Sequence, residues 1–133
     1  MGSDLQICKQ IYEESFSSKI EYTWDKILKK LHNNDFFILC LKFENVIVGC
    51  SILSQNQYFC FIEYLCISSI YRGCGYGKTL FKESIEHCKK LTTYVMLDCK
   101  YELLLFYKKL NCDISSIVYH KGINFYRMLY KIV

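Results

Sequence analysis

Three glycines at alternate positions, Gly73, Gly75 and Gly77, lie directly between a predicted strand and a predicted helix. Glycine lets the backbone approach a ligand closely. The N–H groups at a helix N-terminus, with the helix dipole behind them, bind anions. Arg72 and Lys78 place a positive charge at either end of the loop. The pattern predicts a phosphate or pyrophosphate site, and the alternative is a glycine-rich turn that binds nothing.

Two common nucleotide-binding motifs do not fit this loop. A Walker A loop needs a glycine five positions before Gly77, where the chain has Arg72. A Rossmann fingerprint needs a glycine at the position of Lys78. The anion is therefore expected to belong to another class of ligand.

The elements around the loop follow from hydrophobic periodicity and capping signals. The predicted helices are one that follows the Ser3-x-x-Gln6 capping box as far as Phe16, one over Trp24–Leu31 with Thr23 as its N-cap, and those over Tyr76–Leu91 and Tyr101–Leu110. The predicted strands are Phe36–Phe43, Val46–Leu53, Tyr58–Ile67, Thr93–Cys99, Ile114–Tyr119 and Phe125–Val133.

The order of these elements is helix, helix, three strands, helix, strand, helix and two strands. An antiparallel meander followed by strands that a helix connects predicts an α/β (α+β) fold, with a mixed, mostly antiparallel sheet and helices on both faces. The length of 133 residues predicts one domain, residues 1–133.

Composition excludes several classes of protein. Hydrophobic residues make up 52% of the chain and charged residues 23%, a balance typical of globular proteins. The net charge of +4 is dispersed, and no run of Lys or Arg exceeds two residues, so nucleic acid is not an expected partner. No apolar stretch approaches the roughly 20 residues of a membrane span, so no membrane association is expected.

The nine cysteines are odd in number and include no C-x-x-C pair. A disulfide framework and a zinc site are both disfavoured by this pattern. Most of the cysteines lie in apolar runs, where a thiol behaves as a small hydrophobic group. We therefore expect reduced thiols, no metal and a cytoplasmic protein.

The pattern Arg72-x-x-Gly75-x-Gly77 resembles the R/Q-x-x-G-x-G/A loop of the GNAT acetyltransferase superfamily, which binds the pyrophosphate of coenzyme A. The order of elements is also similar to that fold, except that the chain begins in a helix rather than in the family's usual first strand. The resemblance implies a GNAT acyl-CoA N-acyltransferase fold, with acetyl-CoA as co-substrate and no metal. It places these residues against the cofactor: Leu65, Cys66, Ile67, Arg72, Gly73, Cys74, Gly75, Tyr76, Gly77, Lys78, Phe106 and Tyr107.

Within the superfamily, Ile62-Glu63 and Leu97-Asp98-Cys99, followed by Phe106-Tyr107-Lys108-Lys109, resemble the I-E-D strand and the L-D-C…F-Y-x-K segment of glucosamine 6-phosphate N-acetyltransferases. The F-Y-x-K part is common across the superfamily, and the L-D-C strand is more specific. This resemblance implies acetyl transfer to the amine of glucosamine 6-phosphate, a phosphorylated amino sugar, by direct attack in a ternary complex. It also implies a place in UDP-N-acetylglucosamine biosynthesis and a homodimer.

The resemblance further implies a role for individual side chains. Tyr107 would protonate the departing thiolate, Asp98 would orient the sugar amine, and Glu63 would bind sugar hydroxyls or position a water that removes the amine proton. Arg127 is similar to a late arginine that meets the substrate phosphate across the dimer interface, and Tyr64 completes the substrate-binding set. From the residues alone, a core tyrosine, an N-cap aspartate, an edge glutamate and a surface arginine remain open as alternatives.

Several residues depart from the family pattern, and they affect the prediction of the substrate that accepts the acetyl group more than the prediction of the reaction. Tyr64 replaces an Asp, Leu103 replaces an Asn that contacts coenzyme A, and Asn111-Cys112 replaces Gly-Phe. Two other functions therefore stay open. One is acetylation of a peptide, lysine or polyamine amine by the same chemistry, and the other is a non-catalytic module that binds coenzyme A or a phosphorylated ligand.

Overall fold

The computed structural model describes residues 2–16 and 22–132, so Val133, the end of the last predicted strand, lies outside it. Within these residues the chain forms four α-helices and six strands. The helices are α1 (Gly2–Ser15), α2 (Trp24–His32), α3 (Tyr76–Cys88) and α4 (Leu104–Lys109). The strands are β1 (Phe36–Phe43), β2 (Val46–Gln55), β3 (Cys60–Ile67), β4 (Tyr94–Cys99), β5 (Asp113–His120) and β6 (Ile123–Lys131).

The strands form one sheet in the order β1-β2-β3-β4-β6-β5. Only β3 and β4 pair in parallel, because α3 connects them as a crossover; the other neighbours are antiparallel. The predicted fold class, a mixed and mostly antiparallel sheet with helices, is confirmed.

Two tight turns set the registers of the hairpins. Glu44 and Asn45 join β1 to β2 with φ angles of 51° and 66°, and Lys121 and Gly122 join β5 to β6 with φ angles of 47° and 85°. Consecutive positive φ angles are typical of type I′ turns, which match the twist of the strands they connect. The predicted turn at Glu44-Asn45 is therefore confirmed.

Each face of the sheet carries its own core. One core packs α3 and α4 on residues such as Leu53 and Val95, and the other packs α1 and α2 on residues such as Cys50 and Ile52. The face of α3 that periodicity predicts is the buried one: Leu80, Phe81, Ser84, Ile85 and Cys88. Thr23 caps α2 by accepting a hydrogen bond from the Lys26 N–H at 3.3 Å, also as predicted.

The structure differs from the predictions around the last helix and strands. The segment predicted as one helix from Tyr101 begins with a 3₁₀ turn, Tyr101–Leu103, which leaves the Leu103 side chain 49% exposed. β6 lies between β4 and β5, so its backbone is paired on both sides and β5 forms the edge of the sheet.

The cysteines are free thiols, and seven are buried, as a small hydrophobic group would be. Cys40, on the edge strand β1, is exposed, although its Sγ lies 3.4 Å from the Sγ of the buried Cys8. Cys74 is exposed in the glycine loop.

Candidate active site

β3 and β4 diverge in the middle of the sheet. Their parallel ladder joins three residue pairs, Cys60 with Val95, Phe61 with Met96 and Ile62 with Leu97. β3 then continues to Ile67, β4 stays paired with β6 along its whole length, and no further pair joins β3 to β4 in the described sheet. β3 and β4 therefore splay apart beside Glu63–Ile67, and backbone N–H and C=O groups of β3 face the gap.

A β-bulge sits where the splay begins. Ile52 pairs with Tyr64 and Leu53 with Ile62, which leaves Glu63 as the extra residue on β3. In a regular strand, residues 62 and 64 would share one face. Here Ile62 packs in the core under α3, and Tyr64 packs against the core under α1 and α2. The bulge thus re-aims the strand, as bulges beside active sites commonly do.

The glycine loop between β3 and α3 has the backbone that an anion site needs. Gly73 and Gly75 have φ angles of 79° and 85°, which glycine adopts without strain. A Cβ at either position would meet nothing within 4 Å, so open space lies in front of the loop. Gly75 is the N-cap of α3 and offers no side-chain cap, so the first N–H groups of the helix remain available to a ligand.

Arg72 braces this loop. Its Nε donates to the Ile67 carbonyl and its Nη2 to the Ser15 hydroxyl, both at 3.1 Å. Glu14, also at the end of α1, accepts a 2.7 Å hydrogen bond from the Ser69 N–H. The guanidinium therefore holds the loop against β3 and α1, and its charge stays next to the predicted phosphate position.

Phe106 and Gly77 bring α4 close to the start of α3. A Cβ built on Gly77 would lie 3.4 Å from the Phe106 Cζ atom. The third glycine of the loop thus permits the close approach of an aromatic ring that the resemblance assigns to the cofactor. Lys78 follows, exposed on the first turn of α3.

A cleft of about 1150 Å³ runs along the part of the sheet where β3 and β4 splay apart. It brings together six predicted residues that are far apart in sequence: Glu63, Tyr64, Leu65, Asp98, Tyr107 and Arg127. The glycine loop, Cys66, Ile67 and Phe106 do not line it. The predicted residues therefore divide into two groups, one at the glycine loop and one in the cleft, which meet at the splayed part of β3. After the roles that the resemblance implies, we call them the donor side and the acceptor side.

Glu63 lies in the cleft with one carboxylate oxygen engaged, because the Ser54 hydroxyl donates to its Oε2 at 2.5 Å. Burial raises the pKa of the Glu63 carboxyl above its ordinary value, while the Ser54 hydrogen bond and the charge of Lys30 act in the opposite direction. A carboxyl group with a raised pKa suits a general base that works near neutral pH.

Asp98 and Arg127 form a bidentate ion pair. The Nε and Nη2 atoms of Arg127 donate to the two carboxylate oxygens of Asp98 at 2.8 and 2.9 Å. The two residues are direct cross-strand partners on β4 and β6. This hydrogen bond raises the pKa of Arg127, and its guanidinium also lies over the Phe61 ring, 5.6 Å from the centroid. The N-cap alternative for Asp98 does not apply, because Lys100 occupies the N-cap position of the turn that follows β4.

Tyr107 is 6% exposed and lines the cleft from α4. Burial raises the pKa of the Tyr107 hydroxyl well above its ordinary range, so the group stays protonated at neutral pH. Its ring packs edge-on against Phe81 and Phe106. A buried, protonated hydroxyl that borders the cleft is suited to donate a proton there.

Tyr64 takes part in an aromatic cluster with Tyr12, Phe16 and Tyr22. Its hydroxyl accepts a 3.1 Å hydrogen bond from the Tyr22 N–H, and Tyr12 donates a 2.5 Å bond to the Tyr22 carbonyl. The two hydroxyls thus hold the chain that leads into α2 along the wall of the cleft. Direct contact between Tyr64 and a substrate stays a prediction.

Several cleft residues were not found from the sequence. They include Ser54, Lys26, Lys100, His120 and Lys121. A serine at a strand end, scattered lysines and a lone histidine carry no pattern of their own. The packing of α2 on the sheet, the register of the strands and the β5–β6 turn bring them to one cavity.

The family of the chain follows from its sequence. A model described as the acetyltransferase (GNAT) family matches residues 5–111 of the 133. The chain belongs to this family. The predicted superfamily, acetyl transfer as the reaction class and acetyl-CoA as co-substrate agree with it. No curated protein matches the chain.

Solved structures show the same fold at low sequence identity. Ard1 from Thermoplasma volcanium has a TM-score of 0.82 at 20% identity, and the match covers 100% of this chain and 94% of that one. Naa50 from Arabidopsis thaliana, in complex with the bisubstrate analogue CoA-Ac-MVNAL, has a TM-score of 0.76 at 16% identity, covering 99% and 95%. An aminoglycoside 6'-N-acetyltransferase complexed with coenzyme A has a TM-score of 0.80 at 10% identity, covering 95% and 89%.

No helix among the described residues is long and apolar enough to cross a membrane. Across residues 2–16 and 22–132, no group of three His, Cys, Asp or Glu side chains could hold a metal ion.

Proposed function

We propose that this acetyltransferase moves the acetyl group of acetyl-CoA directly to the primary amine of an acceptor that carries an anionic group, with glucosamine 6-phosphate as the first candidate. The observation that carries the proposal is the charge of the cleft. Among the described residues, 2–16 and 22–132, four cationic side chains line it, Lys26, Lys100, Lys121 and Arg127, against two carboxylates, Glu63 and Asp98. A cleft with an excess of positive charge favours an anionic acceptor over a polyamine.

Arg127 supports phosphate recognition even though it is paired with Asp98. A guanidinium has five N–H donors, and the bidentate pair uses two of them. The others can meet a phosphate oxygen, while Asp98 holds the group in a fixed orientation. Arg127 lines the same cleft as Glu63 of its own chain, so this contact does not require a partner subunit.

The residues of the site divide the chemistry among them. Acetyl-CoA supplies a thioester that a neutral amine can attack. Glu63 takes the proton from the amine, directly or through a water, and a free β3 N–H near Leu65 or Cys66 donates to the carbonyl oxygen. Tyr107 then donates its proton to the departing sulfur.

Direct transfer is favoured over an acyl-cysteine intermediate. Cys99 lines the cleft, but burial raises its pKa to about 11, so the side chain is a protonated thiol rather than a thiolate. The thiolate is the nucleophilic form. Both substrates are therefore expected to bind before the reaction.

A second candidate acceptor is the amine of a peptide. The cleft is open and has aromatic walls, among them Phe16, Tyr22, Phe59 and Phe125. Such walls suit apolar side chains of an extended peptide as well as the faces of a sugar ring. This candidate keeps the same donor site and the same roles for Glu63 and Tyr107.

The test is thiol release from acetyl-CoA with glucosamine 6-phosphate, glucosamine, spermidine and short peptides as acceptors. Because a hydrogen-bonded phosphate contributes at least 1.4 kcal/mol, kcat/KM for glucosamine 6-phosphate should exceed that for glucosamine by about tenfold or more. Equal turnover of the two sugars would refute phosphate recognition. Faster turnover of peptides would establish the second candidate, and no turnover with binding of acetyl-CoA would indicate a non-catalytic module.

The homodimer also stays a proposal. The edge strand β5 presents an uncharged run from Ile114 to Tyr119, with Ile117 61% exposed and Tyr119 71% exposed. Edge strands without charges readily pair with another chain. Light scattering on the purified protein measures the mass directly, and a monomeric mass at micromolar concentration would refute the dimer.

A further inference from the structure

The Ser54–Glu63 contact joins a regular strand position to a bulge. Ser54 pairs with Phe61 on β3, whereas Glu63 is the bulge residue without a β2 partner. The ladder therefore does not fix where the Glu63 side chain lies. The short hydrogen bond from Ser54 to Oε2 supplies that constraint on a residue that lines the cleft.

We propose that Ser54 is a positioning residue, whose hydroxyl holds the Glu63 carboxylate so that its free oxygen meets the acceptor amine. The inference rests on the proposed function, in which Glu63 is the base. Without the hydroxyl, the carboxylate would rotate about its terminal torsion, which is broad and has no strong preference. The donor bond also favours the charged form of the carboxylate.

Among the described residues, three charged groups act on the Glu63 carboxyl from the elements around it. Lys30 approaches from α2, Asp98 from β4 and Arg127 from β6. Lys30 and Arg127 lower the pKa of Glu63, and Asp98 raises it together with burial, which is the largest cause. Ser54 is the only hydrogen-bond donor to Glu63 found among the described residues, so its removal is not compensated by another group.

Ser51 offers a matched control on the same strand. Its hydroxyl is buried and lies 2.8 Å from the Ser84 hydroxyl, on the face of the sheet under α3. Ser51→Ala removes a β2 hydroxyl of the same type but leaves Glu63 untouched. Ser54→Thr keeps the donor, and threonine is favoured in strands.

The first experiment is an NMR titration of the ¹³C-labelled Glu63 carboxyl, with its signal assigned by its loss in Glu63→Gln. Ser54→Ala should raise the pKa of Glu63, because the donor to its charged form is lost. Ser54→Thr and Ser51→Ala should leave it at the wild-type value. A Ser54→Ala titration that overlays the wild-type curve would overturn the inference, whether or not the protein acetylates any acceptor.

The second experiment is the pH dependence of kcat/KM with the best acceptor of the panel. A base acts when deprotonated, so activity falls as the pH drops through the Glu63 pKa, and Ser54→Ala should move this fall to higher pH. On the acid side kcat/KM should be lower by about threefold or more, and Ser54→Thr should restore it.

The two ideas fail in different ways. If kcat/KM of Glu63→Gln still falls at low pH as it does in the wild type, Glu63 is not the base and the proposed mechanism is wrong. If Glu63→Gln abolishes the decrease of kcat/KM at low pH, and Ser54→Ala does not shift the pH at which it occurs, the mechanism stands and the role of Ser54 is refuted.

Discussion

The glycine loop and the cleft differ in the atoms that face a ligand. In the loop these are backbone N–H groups, presented because Gly73 and Gly75 hold φ angles of 79° and 85°. In the cleft they are side chains that are already paired with each other, Asp98 with Arg127 and Ser54 with Glu63. The donor side therefore depends on conformation, and the acceptor side depends on side-chain chemistry.

This difference has a consequence for evolution of the site. A backbone site tolerates changes of exposed side chains around it, such as Cys74, provided that the glycines remain. A side-chain site changes its ligand when one pair is exchanged. One donor site can thus serve different acceptors, which is consistent with a fold shared by an aminoglycoside 6'-N-acetyltransferase and a ribosomal-protein-alanine N-acetyltransferase.

The largest effect is expected at Tyr107, which lines the cleft and directly follows Phe106 of the donor side. Tyr107→Phe removes the proton donor, so kcat should fall by about 10²-fold or more, while KM for acetyl-CoA changes by less than about threefold. Steady-state thiol release measures both. Tyr130→Phe is the control, because the Tyr130 ring also packs on Phe81, 5.7 Å between centroids. An unchanged kcat in Tyr107→Phe would show that the tyrosine is not the acid.

A smaller effect, confined to the acceptor side, is expected at Arg127. Arg127→Ala should raise KM for a phosphorylated acceptor about tenfold, because a charged hydrogen-bond donor is lost, and should change KM for acetyl-CoA less than about twofold. Arg127→Lys should recover only part of this, because lysine cannot form the bidentate pair with Asp98.

The control for Arg127 is Lys131→Ala, which removes a positive charge from the end of the same strand outside the cleft. It should leave both Michaelis constants near the wild-type values. If Arg127→Ala raises KM for the acceptor and KM for acetyl-CoA equally, Arg127 does not act on the acceptor side alone.

What could be predicted from the sequence is local. The buried face of α3, the turn at Glu44-Asn45 and the glycine loop each depend on residues within a few positions of one another. Backbone conformation at such places restricts the residue type, above all to glycine, so the sequence carries a signal. The glycine loop could be predicted from the sequence for this reason.

What could not be predicted depends on strand order and register. Asp98 and Arg127 are 29 residues apart, and their pairing follows from β6 lying next to β4 rather than at the edge. Periodicity within a strand does not state which strand is its neighbour. The resemblance suggested that both residues contact a substrate, but it did not indicate that they contact each other. Ser54 was missed for the same reason, because its partner sits on a bulge in another strand.

The smallest effect, and the one that tests the backbone character of the donor side, is expected at Gly75. Alanine at a φ angle of 85° is strained by about 1 kcal/mol, although its Cβ would meet nothing within 4 Å. Gly75→Ala should therefore weaken the binding of acetyl-CoA about fivefold, because the loop relaxes away from the geometry that presents its N–H groups.

Gly122→Ala is matched to this change, because Gly122 has the same φ angle of 85° in the β5–β6 turn, away from the loop. Both variants should lose about 1 kcal/mol of unfolding free energy in a denaturant titration. Only Gly75→Ala should raise the Kd of acetyl-CoA measured by calorimetry, and it should change KM for the acceptor by no more than about twofold. If Gly122→Ala weakens the binding of acetyl-CoA as much as Gly75→Ala does, the loss reflects general destabilisation, and the loop conformation does not determine donor binding. If Gly75→Ala instead loses acceptor affinity, the donor and acceptor sides are not separate.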